Sequence, residues 1–143
     1  PEAGERLAFL AATEIAETGF FDGIDAIVPL PLSKNKERKR GYNQCDHIAE
    51  GLSRATGIPV IKGAVARTTA NETQTHKNRD ERWQNVEGIF ALTDAQKLEG
   101  KHILLIDDIL TTGATLASCA KTIQDGCECS ISIFTLAYTY NGI

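Results

Sequence analysis

Four aliphatic residues in a row, Ile103-Leu104-Leu105-Ile106, stop abruptly at two adjacent carboxylates, Asp107 and Asp108. A run so short and so apolar reads as a strand buried on both faces, the kind a parallel sheet needs. Ile109 and Leu110 follow, then Thr111, Thr112, Gly113, Ala114 and Thr115, with a helical pattern from Ala114 to about Gln124. In open α/β sheets ligands lie beyond the carboxyl ends of the strands, which is where Asp107 and Asp108 are delivered. The threonines offer hydroxyls and Gly113 lets backbone N–H groups approach a ligand closely. The helix start behind them adds donors and a dipole that favours an anion. Such a unit suits a molecule with a phosphate at one end and vicinal hydroxyls beside it. The carboxylates accept from the hydroxyls while the loop cradles the phosphate.

The rest of the chain is consistent with that sheet. Glu5 to Thr18 carries Leu7, Leu10, Ala11 and Ile15 at helical spacing and is stopped by Gly19. Ile24 to Leu30 is a first buried strand. Pro31 to Asn43 is a polar loop with Lys34, Lys36, Arg38, Lys39 and Arg40. Helix returns over Gln44 to Ala55, with Asn43 as its N-cap and Gly57 after it. Pro59 to Ile61 and Val86 to Leu92 read as short strands, and Ser130 to Ala137 as the last, with Gly126 ending the helix before it. Between Arg67 and Gln84 there is no periodicity and almost no apolar content; so long a polar connection inside a compact domain is usually functional. The fold class is α/β: a single domain with a mostly parallel sheet flanked by helices.

Composition narrows the classes. With 143 residues, 42% apolar and 24% charged, the chain has the makeup of one water-soluble globular domain. No apolar run nears the roughly 20 residues of a membrane-spanning helix. A net charge of −4 announces no nucleic-acid binder, although a local basic patch is compatible with it. Cys45, Cys119, Cys127 and Cys129 show no CxxC spacing, so they read as core thiols rather than zinc ligands, compatible with a reducing cytoplasm. The chain starts at Pro1, so the lack of a targeting signal carries little weight.

Other phosphate motifs fit less well. There is no GxxxxGK[ST] and no GxGxxG after a strand, and too little chain follows the acid pair for a response-regulator receiver. Ile103 to Thr115 instead resembles the signature of type I phosphoribosyltransferases that binds 5-phosphoribosyl-1-pyrophosphate (PRPP). Val28-Pro-Leu-Pro31, Arg40-Gly-Tyr-Asn-Gln44, and Gln74-Thr75 with Arg82 and Asn85-Val86 resemble the ComF-type competence family. The likeness covers most of the chain from about Asp25 onward.

That resemblance implies a division of labour. Asp107 and Asp108 would hold the ribose hydroxyls and act as the catalytic pair, and Thr111, Thr112, Gly113, Ala114 and Thr115 would bind the 5′-phosphate. Lys34, Arg40, Gly41 and Asn43 would meet the pyrophosphate, unless that stretch is only a solvated basic loop. Residues 67–85 would form a flexible hood carrying Gln74, Lys77, Arg79 and Arg82, with Trp83 at its base or in the core. Mg²⁺ would arrive with PRPP, held mainly through substrate oxygens rather than direct protein ligands. The reaction implied is transfer of the 5-phosphoribosyl group to a nitrogen acceptor with release of pyrophosphate. The acceptor is unmarked, and a homodimer is among the assemblies allowed. The alternative is a non-catalytic PRPP sensor, or a factor handling single-stranded DNA with the competence machinery, with Lys34 to Arg40 as the phosphate-backbone patch. Aromatics at 6% argue against base-stacking platforms. Two departures stand out: the family's N-terminal cysteine-rich zinc module is missing, as in a trimmed or short version, and His76-Lys77 replaces a common Gly-Leu pair.

Overall fold

A computed structural model describes residues 2–32, 34–68 and 89–139, and of residues 34–36 the backbone alone. In chain order it contains α1 (Glu2–Ala16), β1 (Ala26–Pro29), α2 (Lys34–Arg40), α3 (Gln44–Thr56), β2 (Val65–Arg67), β3 (Phe90–Leu92), a 3₁₀ turn (Ala95–Lys97), β4 (His102–Leu110), α4 (Ala114–Gly126) and β5 (Ser130–Tyr138). The main sheet has the order β1-β4-β5 and both pairings are parallel. β2 and β3 form a separate antiparallel pair. This is the α/β arrangement expected from the sequence. Among the described residues no helix is long and apolar enough to cross a membrane.

Successive strand residues point to opposite faces, and β4 feeds two cores accordingly. Ile103 and Leu105 pack with Val28, Leu116, Cys119 and Ile123 on the α4 side. Leu104 and Ile106 pack with Ile27, Ile48, Leu52 and Phe134 on the side of α1 and α3. All four residues of the run are 0% exposed. α1 reaches α3 through small residues: Gly4, Ala8 and Ala12 are buried, and a side chain at Gly51 would run into the Glu5 carbonyl. Arg54 then clamps the pair by an ion pair to Glu5 at 2.8 Å and by lying over the Phe9 ring.

Several sequence expectations shift. The first helix begins earlier than Glu5 and ends at Ala16, with Gly19 at φ +81° in the turn behind it. The basic stretch after β1 is not all loop; Lys34–Arg40 is helical. Lys, Glu and Arg are good helix formers, but they present no apolar face for a periodic pattern to reveal. Pro59 to Ile61 contributes only a single parallel bridge, Val60 to Ile27. Pro59 has no N–H to extend the ladder, and Gly63 at φ +81° turns the chain away soon after. Gly126 ends α4, as expected, as its last helical residue, and its missing side chain makes room for Leu92 of β3. Of the cysteines, Cys45 and Cys119 are core residues, whereas Cys127 and Cys129 are half-buried, their sulfurs 3.8 Å apart.

Candidate functional site

β1 and β4 part company at one point. Leu30 N donates to the Ile106 carbonyl at 2.8 Å, and the register between the two strands ends at Pro29 and Ile106. β4 nevertheless continues to Leu110, because β5 pairs with it as far as Leu110 opposite Tyr138. Asp107 and Asp108 are therefore inside the strand rather than just past it, a correction to the expectation that the strand stops at Ile106. They occupy the notch that opens where β4 outruns β1.

The notch is a cavity of about 340 Å³ whose lining includes Arg40, Asn43, Asp107, Asp108, Thr111 and Thr115. The structure thus gathers six of the sequence-nominated residues, drawn from both predicted ligand-binding segments. Gly41, Thr112, Gly113 and Ala114 do not line it. Gly41, at φ +79°, turns the chain from α2 toward α3. Thr112 Oγ1 accepts from Ala114 N at 3.2 Å, and Gly113 starts α4 at φ +82° without a side-chain cap. The side chain of Lys34 and the residues Gln74, Lys77, Arg79, Arg82, Trp83, Asn85 and Val86 lie outside the described residues.

Asn43 braces the wall between β1 and α3. Its Oδ1 accepts from Cys45 N at 3.0 Å, which is the N-cap bond of α3, and its Nδ2 donates to the Leu30 carbonyl at 3.1 Å. An N-cap of this kind contributes about 1 kcal/mol. The acids are held as firmly. Asp107 Oδ1 accepts from Asp108 N at 2.8 Å and from the Cys45 thiol at 3.6 Å, and Asp108 Oδ1 accepts from Ile109 N at 2.8 Å. Burial, reinforced by the neighbouring Asp108, raises the Asp107 pKa above its ordinary value. Burial and the two carboxylates push the Cys45 thiol pKa far above its ordinary value. Among the described residues, Cys45, Asp107 and Asp108 are the one trio whose ligand atoms lie close enough to share a metal ion. A thiol is a soft ligand and a poor match for a hard cation, so carboxylate oxygens would be the donors to one.

Seven lining residues were not nominated from the sequence, among them the polar side chains of Gln44, Cys45 and Arg67. Arg67 closes β2 and lies over the Phe90 ring at 5.3 Å, bringing a second guanidinium to the cavity beside Arg40. In the sequence it opens the polar 67–85 stretch read as a hood, without being named there as a ligand residue. A larger hollow of about 760 Å³ adjoins the notch, shares Arg40, Gln44, Asp108 and Ile109 with it, and is walled by Leu7, Tyr42 and Leu136.

The comparisons agree with this geometry. The phosphoribosyl transferase domain model matches residues 10–140. The competence protein ComFC of Bacillus subtilis is 42% identical over 111 residues, covering 77% of this chain and 43% of that protein. The DNA utilization protein YhgH of Escherichia coli is 30% identical over 134 residues, covering 94% of this chain and 58% of that protein. The chain thus spans about half the length of these relatives. Among solved structures, the glutamine PRPP amidotransferase of B. subtilis superposes with a TM-score of 0.67 at 18% identity, over 94% of this chain and 26% of that one, a likeness of fold. A β4 notch carrying an acid pair, a hydroxyl loop on its far side and 131 residues matched by one domain model (10 to 140 inclusive) lead to one assignment: the chain belongs to the phosphoribosyl transferase domain family, as a ComF-type member.

Proposed function

We propose that this domain binds PRPP with Mg²⁺ in the β4 notch and transfers the 5-phosphoribosyl group to a nitrogen acceptor, releasing pyrophosphate. The observation that carries this reading is the meeting, in one cavity, of two carboxylates, two loop threonines and two guanidinium groups. The carboxylates of Asp107 and Asp108 accept from the ribose 2′- and 3′-hydroxyls. Thr111 and Thr115, with the first amides of α4, take the 5′-phosphate. Arg40 and Arg67 face the pyrophosphate, whose charge grows as it leaves. The acceptor nitrogen forms its bond to the anomeric carbon as the bond to the pyrophosphate oxygen breaks, and the nitrogen then loses its proton. Positive charge building on the ribose ring is steadied by the nearby carboxylates. The adjoining hollow, apolar at Leu7, Ile109 and Leu136, is where the acceptor would wait. Mg²⁺ fits as a partner of the substrate: when bound, it neutralises pyrophosphate charge, and the carboxylate rim suits its preference for oxygen.

A second reading is supported by the names of the relatives, which are a competence protein and DNA utilization proteins. The domain would then sense PRPP or handle single-stranded DNA without catalysing transfer, using the exposed Arg38 and Lys39 of α2 on phosphates. Calorimetric titration of PRPP, with and without Mg²⁺, into the wild-type protein and into Asp107→Asn with Asp108→Asn separates these readings. Saturable Mg²⁺-dependent binding, weakened about a hundredfold or more in the double variant, is the expected result. Undiminished affinity in the variant would overturn the site. Tight binding by the wild type with no turnover of any nitrogen acceptor, and PRPP-sensitive DNA binding, would favour the second reading.

A further inference from the structure

Cys45 belongs to the first turn of α3 and is 6% exposed, yet it lines the notch. Its location is set from two directions. Asn43 caps the turn and ties it to the end of β1, while the thiol reaches across to Asp107 on β4. Among the described residues, the Asp108 amide and the Cys45 thiol both donate to the same oxygen of Asp107, Oδ1. The amide comes from the next residue of the strand and fixes only the near side of the carboxyl group. The thiol comes from another element, so it fixes the rotation of that group relative to the cavity wall.

We infer that Cys45 is a positioning residue for Asp107: its S–H anchors Oδ1 and leaves Oδ2 to the hydroxyls of a bound ribose. This rests on reading the notch as the PRPP site. A thiol is a weak donor, but here it is buried, with its sulfur 3.6 Å from Asp107 Oδ1. Serine keeps a donor at this position, alanine removes it, and valine removes it while filling the space.

The test is calorimetric titration of ribose 5-phosphate and, separately, of pyrophosphate, both with Mg²⁺, into wild type, Cys45→Ala, Cys45→Val and Cys45→Ser, with melting curves for each. Loss of one hydrogen bond to the carboxylate predicts about a fivefold weaker ribose 5-phosphate affinity in the Ala and Val variants. Pyrophosphate affinity stays unchanged in both, and Ser recovers the ribose 5-phosphate affinity. Equal ribose 5-phosphate affinity in all four proteins, or a Ser variant as weak as Ala, would overturn the role of Cys45. A parallel loss for both ligands would reduce Cys45 to a packing residue and overturn it too. Failure of the wild type to bind either ligand would instead bring down the PRPP reading itself.

Discussion

The two halves of β4 live under different conditions. Ile103 to Ile106 have β1 on one side and β5 on the other, and both faces are sealed by helices and the small sheet. Asp107 to Leu110 keep only β5, and the side β1 vacates is open to a cavity. One strand is thus a piece of core for four residues and borders the open notch over the next four. A single flanking strand suffices to hold extended geometry, and the absence of the second one supplies both room for a ligand and carboxylates on a stiff element. Sites carried on strands are more sharply defined than sites on loops.

That contrast can be broken from either half. The largest effect is expected from Leu105→Ala in the sealed half, which removes buried methyl groups and leaves a cavity. It should cost about 3 kcal/mol, seen as a fall in Tm of roughly 10 °C, with ligand affinity of the folded fraction intact. A variant that bound PRPP poorly while still folded would show that the halves are not separable. A smaller effect is expected from Arg40→Ala on the open side. Pyrophosphate affinity should drop about tenfold and ribose 5-phosphate affinity much less, because only the first ligand presents its charge to that wall. Equal losses for both ligands would mean that Arg40 serves the whole cavity.

The smallest effect sharpens the contrast through pH. Asp107 has a folded-state pKa above its ordinary value of 3.8, chiefly because it is partly desolvated. The folded protein therefore holds that proton more tightly than the unfolded chain. The resulting stability is fully present below the ordinary value and is lost as pH rises through the folded one. Asp107→Asn removes this dependence. Its Tm should exceed that of the wild type by the most near neutral pH, and the gap should close on acidification. A gap that widened toward acid would mean that Asp107 is stabilised as an anion in the fold.

Much of this was legible in the sequence because its signals were local. A run of four aliphatics ahead of a turn signal is consistent with a doubly buried strand, and Asn43 ahead of a helical pattern is a favoured cap. The acid pair and the Thr/Gly turn marked the place of the cavity for the same reason. What was not legible depended on neighbours. The sequence suggested that β4 ends at Ile106, since polarity begins there, but Thr135 to Tyr138 of β5 carry the pairing on. β2 is three residues long and exists because β3 lies against it, so nothing within Val65–Arg67 announced it. Arg67 was invisible as a site residue until that pairing and the Phe90 ring placed it at the cavity. α2 escaped notice because it has no apolar face to report its period.

The buried amide group of Asn43 joins the end of a strand to the beginning of a helix, so the wall between them is a truss rather than a hinge. Its order is established when the chain folds, together with the entropy lost in making it. An incoming ligand then meets a surface that has little freedom left to surrender, and more of each new contact is retained as affinity.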